Sequence, residues 1–351
     1  MMENSEPKFL HSMSVPDLQE WLKGQKEPSF RAKQILEWLW KRQESDITKM
    51  SNIGLSLREK LLAEFVAAPL QLTRKEESGE TSKFLWRLYD GKSVESVLIK
   101  APNRCTVCVS TQVGCPVRCA FCASGKKGFF RNLYAAEIVC QVLEIQKILA
   151  MSGEKVTNIV YMGMGEPLEN YDNVVASIRM LTDPDLFGIS RRRITVSTVG
   201  IVENILRLAK DNLGVNLALS LHAPTQEQRQ RLIPYARKYA LEDVLAAVQE
   251  YQLSTGRDIT YEYILIADVN DRFEDAEHLV ALLRGHQGSI NLIPYNPVAD
   301  MQFKRPSASK IAAFRAHLDN CGVVHTCRYT KGDDIAAACG QLVLQGEGDA
   351  I

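Results

Sequence analysis

Apolar and polar residues alternate along this chain with two different periods, and the change between them divides it near residue 70. Before that point the spacing is helical. Ser14, followed by Pro16 and Asp17, opens a helix through LQEWLKG, and Ser29 precedes FRAKQILEWLWKR, in which Ala32, Ile35, Leu36 and Leu39 fall on one face. Ser56 is placed to cap a third helix, LREKLLAEF. KFLWRLY and SVESVLIK then alternate around Asp90-Gly91, a hairpin signal because glycine tolerates the positive φ of a tight turn. From residue 105 short apolar runs alternate with amphipathic stretches. Strands are predicted at 105–111, 158–163, 193–198, 216–222, 259–266, 289–294 and 323–330, and helices at 134–151, 170–182, 201–210, 241–254, 272–285 and 307–320. In KGDDIAAACGQL helical spacing resumes.

Strand–helix repetition of this kind predicts an α/β fold with parallel strands joined by right-handed crossovers, wrapped into a partial (β/α)6 barrel. A flat doubly wound sheet is the architectural alternative. The domain plan is an accessory helical part at 1–70, a β-hairpin connection at 71–104, the barrel at 105–335 and a C-terminal segment at 336–351.

Composition narrows the class. The chain has 351 residues, 46% hydrophobic and 24% charged, which fits a globular protein with a substantial core. No run approaches the length of a membrane span and the start lacks the plan of a signal peptide, so a cytoplasmic location is expected. Lys plus Arg equals Asp plus Glu at 42 each, so nucleic-acid binding would have to rest on local clusters: Lys126, Lys127 and Arg131; Arg191 to Arg193; Lys304 and Arg305.

The nine cysteines are unevenly spread, unlike a disulfide framework. Cys115, Cys119 and Cys122 form C-x3-C-x2-C on a loop leaving the first barrel strand. Three thiolates can hold three irons of a [4Fe-4S] cluster and leave the fourth iron open to a ligand. A competing reading pairs Cys105-x2-Cys108 with Cys119-x2-Cys122 as a structural zinc site in a non-catalytic RNA-binding module. Against it, Cys105 and Cys108 fall on opposite faces of a strand.

Polar residues collect at the predicted strand ends, where a barrel enzyme places its site. MGMGEP, VSTVG, SLHAP and PYNP end four strands. The glycines of GMGEP suit close backbone approach to a ligand, and Glu166 suits pairing with an ammonium group. Ser197, Ser220, His222 and Asn296 offer uncharged donors and acceptors. Each also has an ordinary reading, as a turn glycine, a helix start or a hydrogen-bonded structural histidine.

Over nearly the whole chain and in the same order, CVSTQVGCPVRCAFCASGKKGFFRNL, MGMGEPLENYDNV, RRRITVSTVG, LALSLHAPTQEQRQRLIP, INLIPYNP and KGDDIAAACGQL resemble the RlmN/Cfr family of radical S-adenosylmethionine RNA methyltransferases. FRAKQILEWLWK is similar to that family's N-terminal domain. The resemblance implies methylation of adenine C2 in 23S rRNA, at adenosine 2503, and in certain tRNAs, at adenosine 37. C8 methylation of the same rRNA adenosine is the alternative within the family. It implies one [4Fe-4S] cluster on Cys115, Cys119 and Cys122, and two S-adenosylmethionine molecules per turnover. Contacts to the latter fall to Gly165, Glu166, Ser197, Ser220, Leu221, His222 and Asn296. It further implies that Cys339 carries the methyl as S-methylcysteine, that Cys108 resolves it through a transient disulfide, and that Glu95 accepts a proton. Read from the residues alone, burial is the better explanation of both, Cys339 as a buried helix cysteine and Cys108 as a small apolar residue facing the barrel. An electron donor such as a flavodoxin system and a monomeric state complete the expectation.

Overall fold

The computed structural model describes residues 7–298, 301–328, 332 and 334–342. Its first elements are α1 (Val15–Gly24), α2 (Arg31–Leu36), which runs on as a π turn over Glu37–Lys41, and α3 (Leu55–Glu64). Ser14 caps α1 as expected, accepting from the Asp17 N–H at 3.2 Å. Ser56 does not cap α3: the chain is still extended at Gly54, which is the N-cap, and Ser56 already lies inside the helix. Leu18, Leu22, Ala32, Ile35, Leu39, Leu57 and Leu61 are buried where these helices pack, in a hydrophobic core continuous with that of the rest of the chain. Each buried leucine contributes about 2 kcal/mol.

Four antiparallel strands follow: β1 (Leu70–Ser78), β2 (Thr81–Leu88), β3 (Ser93–Ala101) and β4 (Arg104–Cys108). The β2–β3 turn holds Gly91 at φ 82°, as the Asp90-Gly91 signal predicts. β1 has no signal in the sequence because it is an edge strand, charged and mostly exposed, whose conformation comes from pairing with β2. A small ribbon, β5 (Gln112–Gly114) with β6 (Phe129–Asn132), brackets the cysteine loop.

The remaining elements are α4 (Ala135–Ala150), β7 (Asn158–Tyr161), α5 (Tyr171–Thr182), β8 (Ile194–Thr198), α6 (Val202–Asp211), β9 (Asn216–Ser220), α7 (Gln226–Leu232), α8 (Leu241–Thr255), β10 (Ile259–Leu265), α9 (Phe273–Leu282), β11 (Ser289–Pro294), α10 (Ala308–Asn320) and β12 (His325–Cys327). The ten-stranded sheet runs β1-β2-β3-β4-β7-β8-β9-β10-β11-β12, and every pair from β4 onward is parallel. Val97 on β3 and Ile293 on β11 line one cavity although many strands separate them in the sheet. A flat sheet cannot do this. The sheet therefore curls into a partial barrel, with β1 and β12 as unjoined edges.

The helical spacing read in KGDDIAAACGQL does not become a helix over the described residues 334–342, which form turns. Ala336 and Gly340 take positive φ (50° and 84°), and the Gly340 and Leu342 carbonyls accept from the cysteine loop rather than from a following turn of helix. Lys331 and Asp333 lie outside the described residues.

Candidate active site

Two adjoining cavities lie within the curl of the sheet, one of about 150 Å³ at the C-terminal ends of the parallel strands and one of about 490 Å³ that runs along β3 and β4 from Arg104 to Cys108. They share Cys122, Met162, Gly163, Arg328 and Cys339 as a common wall.

The smaller cavity is bounded by Cys115, Cys119 and Cys122. Burial pushes the Cys115 thiol up to about 12 and raises Cys119 and Cys122 as well, each thiol being further raised by a neighbouring one. Such thiols ionise only when a cation takes them. Three soft sulfur donors on one cavity wall fit an iron–sulfur cluster. Among the described residues no group of three or more His, Cys, Asp or Glu converges on a single metal ion. The zinc reading also loses its donors: the Cys105 Sγ lies 3.8 Å from Glu154 Oε1, while Cys108 lines the larger cavity.

Facing the cysteines are Gly165, Glu166, Ser197, Ser220 and His222. Gly165 sits at φ 103°, and a Cβ there would meet the Gln112 Cβ at 2.6 Å. The missing side chain lets the chain pack against strand β5 while the Gly165 backbone lines the smaller cavity. The Glu166 carboxylate accepts from the Leu168 N–H at 3.0 Å and the Val199 N–H at 2.9 Å, which ties the end of β7 to the end of β8. Burial nevertheless holds its carboxyl up to about 7. Ser197 and Ser220, side by side on β8 and β9, place their hydroxyls 3.3 Å apart.

His222, at φ 58°, accepts the Ile264 N–H on Nδ1 at 3.1 Å, so its ring proton is on Nε2. Burial and the nearby Arg229 depress it to about 3, so the ring is neutral. It meets the Phe121 ring edge to face at 5.0 Å. Leu221 is fully buried and lines neither cavity; its N–H is spent on the Leu219 and Glu262 carbonyls.

Cys108 and Asn296 line the larger cavity. Burial, and then the Cys339 thiol, push Cys108 up to about 12. Cys339 is exposed on a turn rather than buried in a helix. The turn is pinned from both sides: Asn296 Nδ2 donates to the Cys339 carbonyl at 3.3 Å, and Ala123 N–H to the Gly340 carbonyl at 2.8 Å.

Glu95 lies outside both cavities. It shares a face of β3 with the cavity-lining Val97 and Ile99, but its carboxylate pairs with Lys83 Nζ at 3.3 Å. Lys83 also pairs with Glu76 at 2.9 Å.

Sequence reasoning missed three charged residues here. Arg328 enters both cavities with Nη1 4.0 Å from Cys339 Sγ. Glu262, on β10, lines the smaller cavity and accepts from Asn291 Nδ2 at 2.6 Å; its signal was a charge inside an otherwise apolar strand. Arg229, buried on α7, donates to the backbone carbonyls of Val199, Ser220 and Leu221. Nothing in its helical context announces that role. Of the cations picked out for phosphate, Arg131 is already taken, by Asp90 at 2.7 Å and by both oxygens of Glu137.

A curled parallel sheet with three cysteines on the loop after its first parallel strand defines a radical S-adenosylmethionine enzyme. The family model of the radical SAM superfamily matches residues 109–282, and that of the ribosomal RNA large subunit methyltransferase N-terminal domain matches residues 10–66. The chain is 57% identical to a probable dual-specificity RNA methyltransferase RlmN 2 of Protochlamydia amoebophila, over 93% of this chain and 92% of that one. It is 46% identical to the dual-specificity RNA methyltransferase RlmN of Nautilia profundicola, over 90% and 93% respectively. The crystal structure of a radical SAM methyltransferase from Sphaerobacter thermophilus superposes with a TM-score of 0.93 at 43% identity, covering 96% of this chain and 99% of that one. The chain belongs to the RlmN family of radical SAM RNA methyltransferases. That family implies a [4Fe-4S] cluster and S-adenosylmethionine. Among the described residues no helix is long and apolar enough to cross a membrane.

Proposed function

We propose that this enzyme methylates C2 of adenine in RNA, at adenosine 2503 of 23S rRNA and adenosine 37 of certain tRNAs, by way of a methyl group carried on Cys339. The observation that carries the reading is the position of Cys339. It stands on the wall common to the cavity of the three cysteines and the cavity of Cys108.

In this reading Cys115, Cys119 and Cys122 hold one cluster per chain, and the smaller cavity takes S-adenosylmethionine against Gly165, Glu166, Ser197, Ser220 and His222. Bound there, the reduced cluster and its ligand would supply radical chemistry to activate the methyl carried on Cys339, since an aromatic C2 carbon is not a nucleophile and direct methyl transfer to it fails. Asn296 and the cysteine loop fix the turn on which Cys339 takes a methyl from one S-adenosylmethionine, a second being used per turnover for the radical. Glu95, paired with Lys83 and two residues along β3 from the cavity-lining Val97, would take the C2 proton. Once the activated carbon on Cys339 has bonded to C2, Cys108 would attack the Cys339 sulfur, the bond from sulfur to the transferred carbon would break, that carbon would gain a proton as C2 loses one, and a disulfide and one electron for the oxidised cluster would be left. A two-electron reductant must restore the thiols, and an electron donor of the flavodoxin type must reduce the cluster. The enzyme acts as a monomer in the cytoplasm.

The test is anaerobic purification with iron and sulfide analysis, mass spectrometry of the peptide carrying Cys339, and nucleoside analysis of rRNA and tRNA after reaction. About four irons per chain, a methyl on Cys339 and 2-methyladenosine are expected. 8-Methyladenosine would reassign the product, and an unmodified Cys339 in active enzyme would remove the mechanism.

A further inference from the structure

Strand β6 carries two consecutive phenylalanines that the fold leaves in water. Phe129 is 45% exposed and Phe130 is 53% exposed. The pairing of β5 with β6 shifts register here, Val113 standing opposite Arg131 and Gly114 opposite Phe129, so that Phe130 is the extra residue of a β-bulge and strict alternation of faces is broken. Two phenyl rings left unburied forgo a sizeable hydrophobic gain, and packing inside this chain does not account for them.

Their surroundings are cationic. Lys92 Nζ lies 5.2 Å from the centre of the Phe130 ring, and the exposed Lys126 and Lys127 lead into the strand. Tyr89, also exposed, lies under the Arg131 guanidinium at 5.2 Å. Two acids, Asp90 and Glu137, share the Arg131 guanidinium, so the positive charge at the ribbon comes from the lysines. The ribbon is joined to the site as well, because the Cys115 N–H donates to the Gly128 carbonyl at 3.0 Å. Aromatic rings interleaved with lysines beside a catalytic cavity match unpaired nucleic acid, whose bases stack on rings while its phosphates meet the cations.

We propose that the β5–β6 ribbon is a stacking platform for the RNA bases flanking the methylated adenosine. Phe130, backed by Lys92, takes one base, and the adjacent exposed Phe129 takes a second. The inference rests on the RNA reading above and adds to it the surface that holds the extruded strand open.

The test is fluorescence anisotropy with a labelled stem–loop RNA carrying an adenosine in its loop. Phe130→Ala should weaken binding about fivefold to a hundredfold, with unchanged iron content and melting temperature because the ring is exposed. Phe130→Trp should restore affinity. Phe130→Ala should leave the salt dependence as it is, whereas Lys92→Gln should make it shallower. An abasic site next to the target adenosine should erase the difference between wild type and Phe130→Ala. Equal affinity of the Phe129→Ala/Phe130→Ala double variant and wild type would overturn the platform. So would concentration-dependent self-association that these substitutions abolish without changing RNA affinity. A wild-type chain that neither binds nor methylates the RNA would instead sink the RNA reading itself. Methylating wild type with indifferent phenylalanine variants would remove the platform alone.

Discussion

The Ala123 N–H donates to the Gly340 carbonyl at 2.8 Å, so the residue after a cluster-loop cysteine holds the residue after Cys339. One residue along on the cluster loop, the Ser124 hydroxyl donates to the Leu342 carbonyl at 2.7 Å. The two bonds fasten a segment without regular secondary structure to the loop that carries the metal ligands. Ser124→Ala removes one of them and leaves a buried carbonyl short of a donor. It should cost about 1–2 kcal/mol of local stability and lower the fraction of Cys339 methylated. Iron content should stay at the wild-type level, because no ligand is touched. Peptide mass spectrometry beside iron analysis checks this, and equal loss of both would mean that the segment braces the whole loop.

That latch also marks how far the sequence can be read. The parallel strands were legible because strands covered on both faces appear as short apolar runs, such as NLALS and SINLIP. The cysteine triplet and the polar strand ends were legible because those residue types carry chemistry wherever they are placed. β1 was not, since an exposed edge strand carries no alternation. AAACGQL was read as helix because nothing local records that its carbonyls are claimed by residues more than two hundred positions earlier. Arg229, Glu262 and Arg328 likewise act through partners that only the curled sheet brings near.

Lys83 is buried between two carboxylates, Glu76 at 2.9 Å and Glu95 at 3.3 Å. Removing the cation takes the ammonium away from the buried Glu95, while Glu76 keeps its second ion pair, with Arg74. Lys83→Met should destabilise the fold by about 3–5 kcal/mol, seen in chemical denaturation. Adding Glu76→Gln and Glu95→Gln should recover part of that loss, because neutral amides no longer need the ammonium. A Lys83→Met variant as stable as wild type would show that the triad is solvated in solution.

His11 lies fully buried beside Trp40, with neither ring nitrogen hydrogen-bonded, and burial lowers it to about 4 from an ordinary 6.5. Between those values the unfolded chain takes up a proton that the folded chain refuses. Stability from this group is therefore intact above about pH 6.5 and drains away as the pH falls toward 4. From pH 7 to pH 5 the loss should be about 2 kcal/mol. His11→Leu should flatten that dependence while matching or exceeding wild-type stability at pH 5. Denaturation curves at the two pH values decide it; parallel losses in both proteins would place the acid sensitivity elsewhere.

Arg229 ties together the strand ends on which Ser197, Ser220 and His222 stand, donating to the carbonyls of Val199, Ser220 and Leu221. Burial lowers its guanidinium to about 10, still charged at neutral pH. A lysine cannot copy the planar fork that reaches three carbonyls. Arg229→Lys should fold with a lower melting temperature and bind S-adenosylmethionine at least tenfold more weakly, a loss of about 1.4 kcal/mol. Arg229→Met, which leaves all three carbonyls without that donor, should lose at least about 3 kcal/mol of stability. Isothermal titration on the reconstituted protein separates the two effects. If affinity is unchanged while stability drops, Arg229 supports the barrel wall but does not set the geometry of the pocket.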